Sequence, residues 1–168
     1  MRLTLSIVYI AVVGLLSHIL GEVLPRRWFN PRRAPFAPWP IERSGKLYRA
    51  LRVHAWKDKL PDMSKISHKM VGKRISLTGS SAEAGRVAVE TCVAETVHVA
   101  LIPLGFVICW IYPGALGTAI AAVYALSNIP FIIIQRYNRP TLITLAERLK
   151  QREERIHNAH TDTFGKHR

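Results

Sequence analysis

The chain has 168 residues, of which 49% are hydrophobic, and its formal net charge at pH 7 is +13. The apolar residues form long runs and the charges lie between them, a segregation that is unusual for a soluble globular domain of this length. The cations form no recognisable nucleic-acid-binding module, so composition favours a single membrane domain over residues 1–168 that contacts membrane lipids and not nucleic acid.

The first predicted element is an apolar helix over residues 3–24, which ends before Pro25. A helix that crosses the hydrocarbon core needs about 20 mainly apolar residues, and this stretch meets that length. A cleaved signal peptide is the alternative. The apolar stretch is longer than the usual core of such a peptide, however, and no small-x-small cleavage motif precedes Pro25. We therefore predict a spanning helix.

The second predicted element is a strongly basic segment over residues 25–81, which we expect on the cytoplasmic surface of the membrane. Its first part is dense in Pro, Arg and aromatic residues, which disfavours regular helix and suits the headgroup region. Over residues 45–60 apolar residues recur with cations between them, which predicts a basic amphipathic surface helix. A second short helix is predicted around residues 63–74.

The second and third spans form a predicted hairpin. No Asp, Glu, Lys, Arg or His occurs over residues 99–135, a stretch long enough to cross a membrane twice. Pro113 and Gly114 in its middle mark the turn. The prediction is an all-α membrane protein whose second and third spans cover residues 90–112 and 115–134.

Both ends of this hairpin are predicted to extend beyond the membrane. The helix of the second span is expected to begin near Ala82, with Ser80 or Ser81 before Glu83 as an N-cap signal. A separate cytoplasmic tail helix with a disordered end is predicted over residues 136–168, where apolar and charged residues alternate at helical spacing.

The distribution of cations predicts the orientation. Basic residues are concentrated in the 25–81 segment and the tail, whereas the N-terminal end offers only Arg2 and the hairpin tip carries no charge. The positive-inside rule then places both basic regions in the cytoplasm. We predict a multi-pass protein of the cell membrane with its N-terminus outside and its C-terminus in the cytoplasm.

Three ionisable residues stand at the start of the second span, namely Glu90, Glu95 and His98. Successive helical residues turn by about 100°, so Glu95 and His98 share a face and Glu90 lies about 80° from His98. Ionisable groups in a spanning segment are costly and mark function by default. We predict His98 as a general base, Glu95 as the group that orients it, and Glu90 as an acid or structural partner. The alternative is a set of solvated polar groups at the helix rim.

Neither metal nor disulfide chemistry is predicted. A Glu-x-x-His step is one half of a di-metal carboxylate site, but such sites take a second copy from another helix, which the sequence lacks. Cys92 and Cys109 lie on one predicted helix roughly 25 Å apart, which is too far for a disulfide.

A second group of candidate residues follows the third span. Arginine binds phosphate through two parallel hydrogen bonds, which suits a phosphorylated donor. The alternative is that these arginines anchor the span to lipid headgroups. The predicted substrate-binding residues are Arg136, Tyr137, Asn138, Arg139, Asn128, Trp56 and Lys57.

Three motifs in this order resemble the glycosyl-4,4'-diaponeurosporenoate acyltransferases, small membrane proteins of staphyloxanthin-type carotenoid biosynthesis. They are WKDKLPD at 56–62, ETCVAETVH at 90–98 and NIPFIIIQRYNRPTL at 128–142. The resemblance covers roughly residues 25–152. The most specific matches are Glu90, Thr91, Ala94, Glu95, His98, Asn128, Pro130 and the block 135–140. The chain departs from the family pattern at Cys92, at Val93 and over the Pro-rich residues 31–40, which bears on the acceptor more than on the chemistry.

The resemblance implies an acyltransferase that moves a fatty acyl group onto a sugar hydroxyl of a membrane glycolipid, such as a glycosyl carotenoid. Its partners would be the lipid-linked sugar acceptor and an acyl donor. A coenzyme A or carrier-protein thioester is expected as the donor, with a phospholipid as the alternative, and because the donor is a substrate no cofactor is expected. Two rival functions stay open: an intramembrane metallohydrolase, which would bind zinc or iron, and a non-enzymatic scaffold or lipid-binding subunit. The sequence does not indicate an oligomeric state.

Overall fold

The computed structural model describes residues 1–43, 45–60 and 79–165, with side chains as far as residue 159. Helices α1 to α7 cover Arg2–Val23, Pro40–Arg43, Lys46–Ala50, Val53–Trp56, Ser81–Gly105, Ile108–Ile111 and Ala115–Gly165, with a 3₁₀ turn at Arg26–Trp28. Within these ranges no residue is in a β-strand. The predicted all-α class is therefore confirmed.

Three stretches of helix are long and apolar enough to cross a membrane: Arg2–Val23, Ser81–Ile111 and part of Ala115–Ala159. Their large apolar side chains point away from the protein, as Leu15, Trp110 and Val123 do with 62%, 81% and 68% of their surface exposed. Lipid tails are as apolar as these side chains, so such faces are stable only in a bilayer. The three predicted spans are confirmed.

The helix limits differ from the prediction in two places. The predicted surface helix over residues 45–60 is two short helices, α3 and α4, because Arg52 between them has a left-handed backbone with φ of 49°. The third span and the tail helix, predicted as separate elements, are one continuous helix, α7. Its two internal prolines, Pro130 and Pro140, each remove one hydrogen bond without ending it. The helix predicted around residues 63–74 lies outside the described residues, as do residues 166–168.

The N-cap and hairpin predictions hold. The Ser80 side chain accepts a hydrogen bond from the backbone N–H of Glu83, which satisfies one free donor of the first turn of α5. The turn between α6 and α7 contains Gly114, whose φ of 102° is readily adopted only by glycine.

Among the helices that the structure describes, α5 and α7 form the largest interface. Small side chains let the two backbones approach closely, and a Cβ added at Gly105 would lie 2.6 Å from the Tyr124 ring. Helix α1 packs beside this pair, and the Tyr9 hydroxyl donates a 2.8 Å hydrogen bond to the Leu104 carbonyl. The antiparallel α5 and α7 pair therefore provides the frame that positions the polar residues.

Candidate active site

His98 is held by two neighbours on α7. Its Nδ1 lies 3.0 Å from Oδ1 of Asn128, and its ring stacks on Phe131 with centroids 4.7 Å apart and planes 6° from parallel. Asn128 is buried, whereas His98 is half-buried. These contacts fix both the position and the tilt of the imidazole.

The hydrogen bonds of Asn128 define the tautomer of His98. The Nδ2 amide group donates to the Tyr124 carbonyl at 2.9 Å, so Oδ1 is the atom that faces the imidazole. A carbonyl oxygen only accepts, and Nδ1 must therefore carry the proton. In the neutral ring the lone pair is then on Nε2, the atom that can take a proton from a substrate.

The structure corrects the predicted role of Glu95. Its carboxylate accepts from Nη1 of Arg136 at 2.7 Å and from Nη2 of Arg139, and Asn128 instead occupies Nδ1 of His98. The physical reason is that a buried carboxylate is stabilised far more by two guanidinium groups than by one neutral imidazole. Glu95 and His98 share a helix face, but they belong to separate sets of contacts.

Glu95 is part of a buried ion network that joins three segments of the chain. Arg136 bridges Glu95 to Glu42 on α2, and the Nε of Arg136 lies 2.7 Å from Oε1 of Glu42, while Arg139 pairs with Glu95. Each of the four side chains is less than a tenth exposed. Two positive and two negative groups therefore balance inside the protein, an arrangement whose desolvation cost is offset only when the geometry is good.

The network also affects the protonation of Glu42. Burial raises the pKa of its carboxyl, but hydrogen bonds from Arg136 and from the Trp39 backbone N–H outweigh burial. The pKa of Glu42 therefore lies below its ordinary value. The carboxylate stays ionised at neutral pH and keeps the network balanced.

The two arginines were predicted to bind the acyl donor, and the structure shows that their hydrogen-bonding capacity is used within the protein. All five N–H groups of Arg136 have partners: Glu42, Glu95 and the carbonyls of Pro35 and Ala37. Arg139 donates to Thr91, Glu95 and the Phe36 carbonyl, and it is 1% exposed. In this structure the two guanidinium groups neutralise buried carboxylates and bind loop carbonyls, and their contact with a donor phosphate stays a prediction.

Aromatic residues of the stretch over residues 35–42 also contact the two arginines of the network. The Arg136 guanidinium lies 4.2 Å from the centre of the Trp39 ring, and that of Arg139 lies 5.4 Å from Phe36. Such cation–π contacts stabilise the packing, although less at Trp39, which is 55% exposed, than at a fully desolvated site. The stretch over residues 35–42, together with α2, is thereby fixed on α5 and α7.

The remaining predicted site residues lie outside the His98 site. Glu90 accepts two hydrogen bonds from Arg26, at 2.8 and 2.9 Å, and is thus paired with the 3₁₀ turn. Tyr137 contacts Tyr48 edge-on and lies under the Lys57 ammonium. The remaining two are Trp56, whose Nε1 donates to the Leu51 carbonyl, and Asn138, which is half-buried. In the described part of the chain no three His, Cys, Asp or Glu side chains are grouped as a metal would need.

Sequence reasoning missed two residues. Glu42 was not predicted, although it is the only acidic residue over 25–57, a stretch that carries nine Lys and Arg residues. A lone acid in so basic a segment signals a buried ion pair. Tyr48 had no comparable signal, because its burial depends on how α3 packs against α7.

A family model described as glycosyl-4,4'-diaponeurosporenoate acyltransferase matches residues 25–148. Proteins of that name from Staphylococcus aureus are similar over 150 residues. The one from strain bovine RF122 / ET3-1 is 33% identical and the one from strain N315 is 32% identical, and each alignment covers 88% of this chain and 89% of the relative. No solved structure matches this chain.

Proposed function

We propose, since this chain belongs to the glycosyl-4,4'-diaponeurosporenoate acyltransferase family, that His98 is the general base with which it acylates a sugar hydroxyl. Family membership makes the chain an acyltransferase and supports acyl transfer onto a glycolipid. The identity of the general base and the membrane setting of the reaction are our inference from the geometry.

The observation that carries this proposal is the pairing of His98 with Asn128. With Nδ1 donating to Oδ1 of Asn128 at 3.0 Å, Nε2 holds the lone pair. Within the described residues Nε2 has no hydrogen-bond partner. It is therefore available to a substrate hydroxyl, and Phe131 restrains the ring in that orientation.

The reaction follows from these positions. Nε2 takes the proton of the sugar hydroxyl while the oxygen attacks the acyl carbonyl carbon, and a new carbon–oxygen bond forms. The bond between the acyl carbon and its carrier then breaks. The imidazolium, stabilised by the Asn128 carbonyl on Nδ1–H, returns its proton to the leaving carrier. The acyl group is already activated, so the reaction needs no cofactor.

The spanning helices supply the reason for this location. His98 lies one helical turn, about 4.5 Å along the axis, beyond the ion network toward the C-terminal end of α5. A glycolipid acceptor can present its sugar there while its tails stay in the bilayer, along the exposed apolar faces of the helices. We place the basic residues 25–60 and the end of α7 in the cytoplasm of a cell-membrane protein, with the N-terminus outside.

The test is product formation by purified protein given an acyl donor and the glycosyl carotenoid, with the ester measured by mass spectrometry. His98→Ala should lower the rate by about 10²-fold to 10⁴-fold, the usual contribution of a general base. His18→Ala, an exposed histidine in α1, is the matched control and should retain the rate. Acylation by His98→Ala at the wild-type rate would overturn the assignment.

Asn128 gives a second test, because it acts only through His98 as a positioning residue. Asn128→Asp keeps an acceptor oxygen for Nδ1–H, whereas Asn128→Leu has a similar size and removes it. The Asp variant should retain more activity than the Leu variant at equal amounts of folded protein. Equal rates in the two variants would show that the contact to Nδ1 does not matter.

A further inference from the structure

Gln135 is a buried polar residue to which the proposed mechanism gives no role. The described part of the chain buries eight polar or charged side chains besides those of tyrosine, and seven of them form hydrogen bonds. The eighth belongs to Gln135, which is 5% exposed and forms no side-chain hydrogen bond with any described residue. A buried amide without a partner is costly, and in native proteins it calls for an explanation.

The amide of Gln135 is nevertheless open to a ligand. The polar side-chain atoms that are sealed from solvent without a partner among the described residues include neither its nitrogen nor its oxygen, so both atoms keep accessible surface. Packing therefore holds the side chain while its amide stays within reach of a substrate. A glutamine amide offers two N–H donors and one acceptor oxygen.

Gln135 lies between the His98 site and the ion network, on the face of α7 that packs against α5. It follows Asn128, which contacts His98, by seven residues and precedes Arg139, which contacts α5, by four. At about 100° per residue, these steps place Gln135 about 20° and 40° around the helix from the two. Phe131, whose ring stacks on His98, is one turn away on the same face.

The side chains of Gln135 and His98 lean toward each other. In an α-helix, side chains are tilted toward the N-terminus of their own helix. Helices α5 and α7 are antiparallel, so Gln135 leans toward the level of His98, and His98 leans toward the level of Gln135. A substrate that contacts Nε2 of His98 therefore meets Gln135 as the next polar group on this face of α7.

The acyl transfer needs a hydrogen-bond donor near the base. When the sugar oxygen bonds to the acyl carbonyl carbon, one electron pair of the carbonyl group moves onto its oxygen, which becomes an oxyanion. Two neighbouring donors are already used within the protein. All five N–H groups of Arg136 have partners, and the Asn128 amide donates to the Tyr124 carbonyl. The amide of Gln135 is still available.

We propose that the Gln135 amide donates a hydrogen bond to the carbonyl oxygen of the acyl donor and stabilises the oxyanion that forms there. The proposal rests on the acyl transfer proposed above. The electron pair returns to the carbonyl group as the bond to the carrier breaks, and the proton still passes through His98. A thioester and a phospholipid ester share this carbonyl group, so Gln135 serves either acyl donor.

Gln135→Met tests the proposal, because it nearly keeps the length and volume of the side chain and removes the donor. Ester formation is measured with the glycosyl carotenoid and palmitoyl-coenzyme A, and in parallel with dipalmitoylphosphatidylglycerol. With either acyl donor kcat should fall by about 10²-fold to 10³-fold, the usual loss for one oxyanion donor, while the KM of both substrates changes little. Gln151→Met changes an exposed glutamine of the tail and is the matched control, which should keep the wild-type kcat.

Thermal unfolding separates catalysis from folding. Gln135→Met replaces a buried amide that has no partner by an apolar side chain, so the midpoint should be unchanged or higher. A lower midpoint with a rate that falls only in proportion to the folded protein would make Gln135 structural and overturn the proposal. An unchanged kcat with a raised KM for the acceptor would also overturn it, because Gln135 would then bind the sugar.

The same measurements distinguish this proposal from the assignment of the base. If Gln135→Met keeps the wild-type kcat while His98→Ala loses it, only the role of Gln135 fails. If His98→Ala is fully active and Gln135→Met is slow at an unchanged midpoint, only the base assignment fails.

Discussion

The ion network and the His98 site lie one helical turn apart on α5 and differ in almost every physical property. The network holds four charges, is almost fully buried, and uses all five N–H groups of Arg136 within the protein. The His98 site has no charged member in contact with the ring, is half-buried, and leaves Nε2 without a partner in the described chain. The charges at the start of the span therefore hold residues 35–42 on α5 and α7, whereas the proposed chemistry is assigned to His98, one turn away.

The largest effect on the network should follow from Glu95→Ala. The change leaves Arg136 and Arg139 buried with only Glu42 as a counter-charge, and such breaks typically cost about 3–5 kcal/mol. We expect little folded protein after purification, measured by size-exclusion chromatography and thermal unfolding. A Glu95→Ala protein that folds normally but is inactive would contradict a structural role for Glu95 and would return this residue to the chemistry.

Glu42→Gln should have a smaller effect, because the side chain keeps its size and one acceptor while it loses its charge. The expected loss is about 1.5–3 kcal/mol, the value of hydrogen bonds to charged groups. Limited proteolysis should cut residues 35–60 faster in this variant. Glu147→Gln is the control, since Glu147 forms an exposed ion pair with Arg32, and such pairs contribute about 0–1 kcal/mol.

Lowering the pH should reduce the stability of the protein through the same residue, Glu42. The folded-state pKa of Glu42 lies below its ordinary value of 4.5, so its stabilising effect is complete above that pH and is lost as pH falls through the lowered pKa. Glu42→Gln should therefore lose less stability than the wild type between neutral and acidic pH. Parallel pH profiles for the two proteins would show that the charge of Glu42 is not a source of stability.

Gly105→Ala tests the His98 site, the second of the two regions compared above. The added Cβ would lie 2.6 Å from the Tyr124 ring, and the Tyr124 carbonyl is the group that orients Asn128. Overpacking costs about 1–3 kcal/mol, and the displaced ring should also lower the rate through Asn128. Gly85→Ala in the same helix meets no atom within 4 Å, so activity and folding should be retained. An unchanged rate in Gly105→Ala would show that the rate does not depend on the backbone position of Tyr124, whose carbonyl orients Asn128.

The sequence predicted what depends on hydrophobic runs and local signals. The three spans, the turn at Gly114 and the Ser80 cap follow from apolar length, φ preference and hydrogen-bond chemistry, and all three are present. The grouping of polar residues from α5 with those from α7 was also predictable, because each of the two sets lies at the limit of an apolar run. Position along the chain was sufficient for these features.

The sequence did not predict which side chains of α7 would contact Glu95 and which would contact His98. Glu95 and His98 are one turn apart in sequence, yet the partners of Glu95 are Arg136 and Arg139 and that of His98 is Asn128, all from α7. These contacts depend on the rotation and register of two packed helices, and no local pattern encodes them. The continuity of α7 through Pro140 has the same origin, since packing against α5 and the connecting segment outweighs the hydrogen bond that proline removes.

The smallest effect should come from Glu90→Gln. This variant decides whether Glu90 belongs with the ion pairs that hold the structure or with the His98 site. Glu90 forms a two-fork contact with Arg26 and is 41% exposed, so water screens the pair and its contribution should be about 0.2–1 kcal/mol. If Glu90 only ties the 3₁₀ turn to α5, Gln keeps the shape, the thermal midpoint falls slightly and the rate of ester formation stays within a few fold of the wild type. If Glu90 is instead the acid that protonates the leaving carrier, the rate should fall by about 10²-fold or more at an unchanged midpoint. Arg26→Gln separates these outcomes, because it breaks the same ion pair, together with the hydrogen bonds of Arg26 to the Glu22 and Leu24 carbonyls, and leaves the Glu90 carboxyl in place. Small effects of both changes on the rate would make the pair structural, whereas a large effect of Glu90→Gln alone would move Glu90 into the chemistry beside His98.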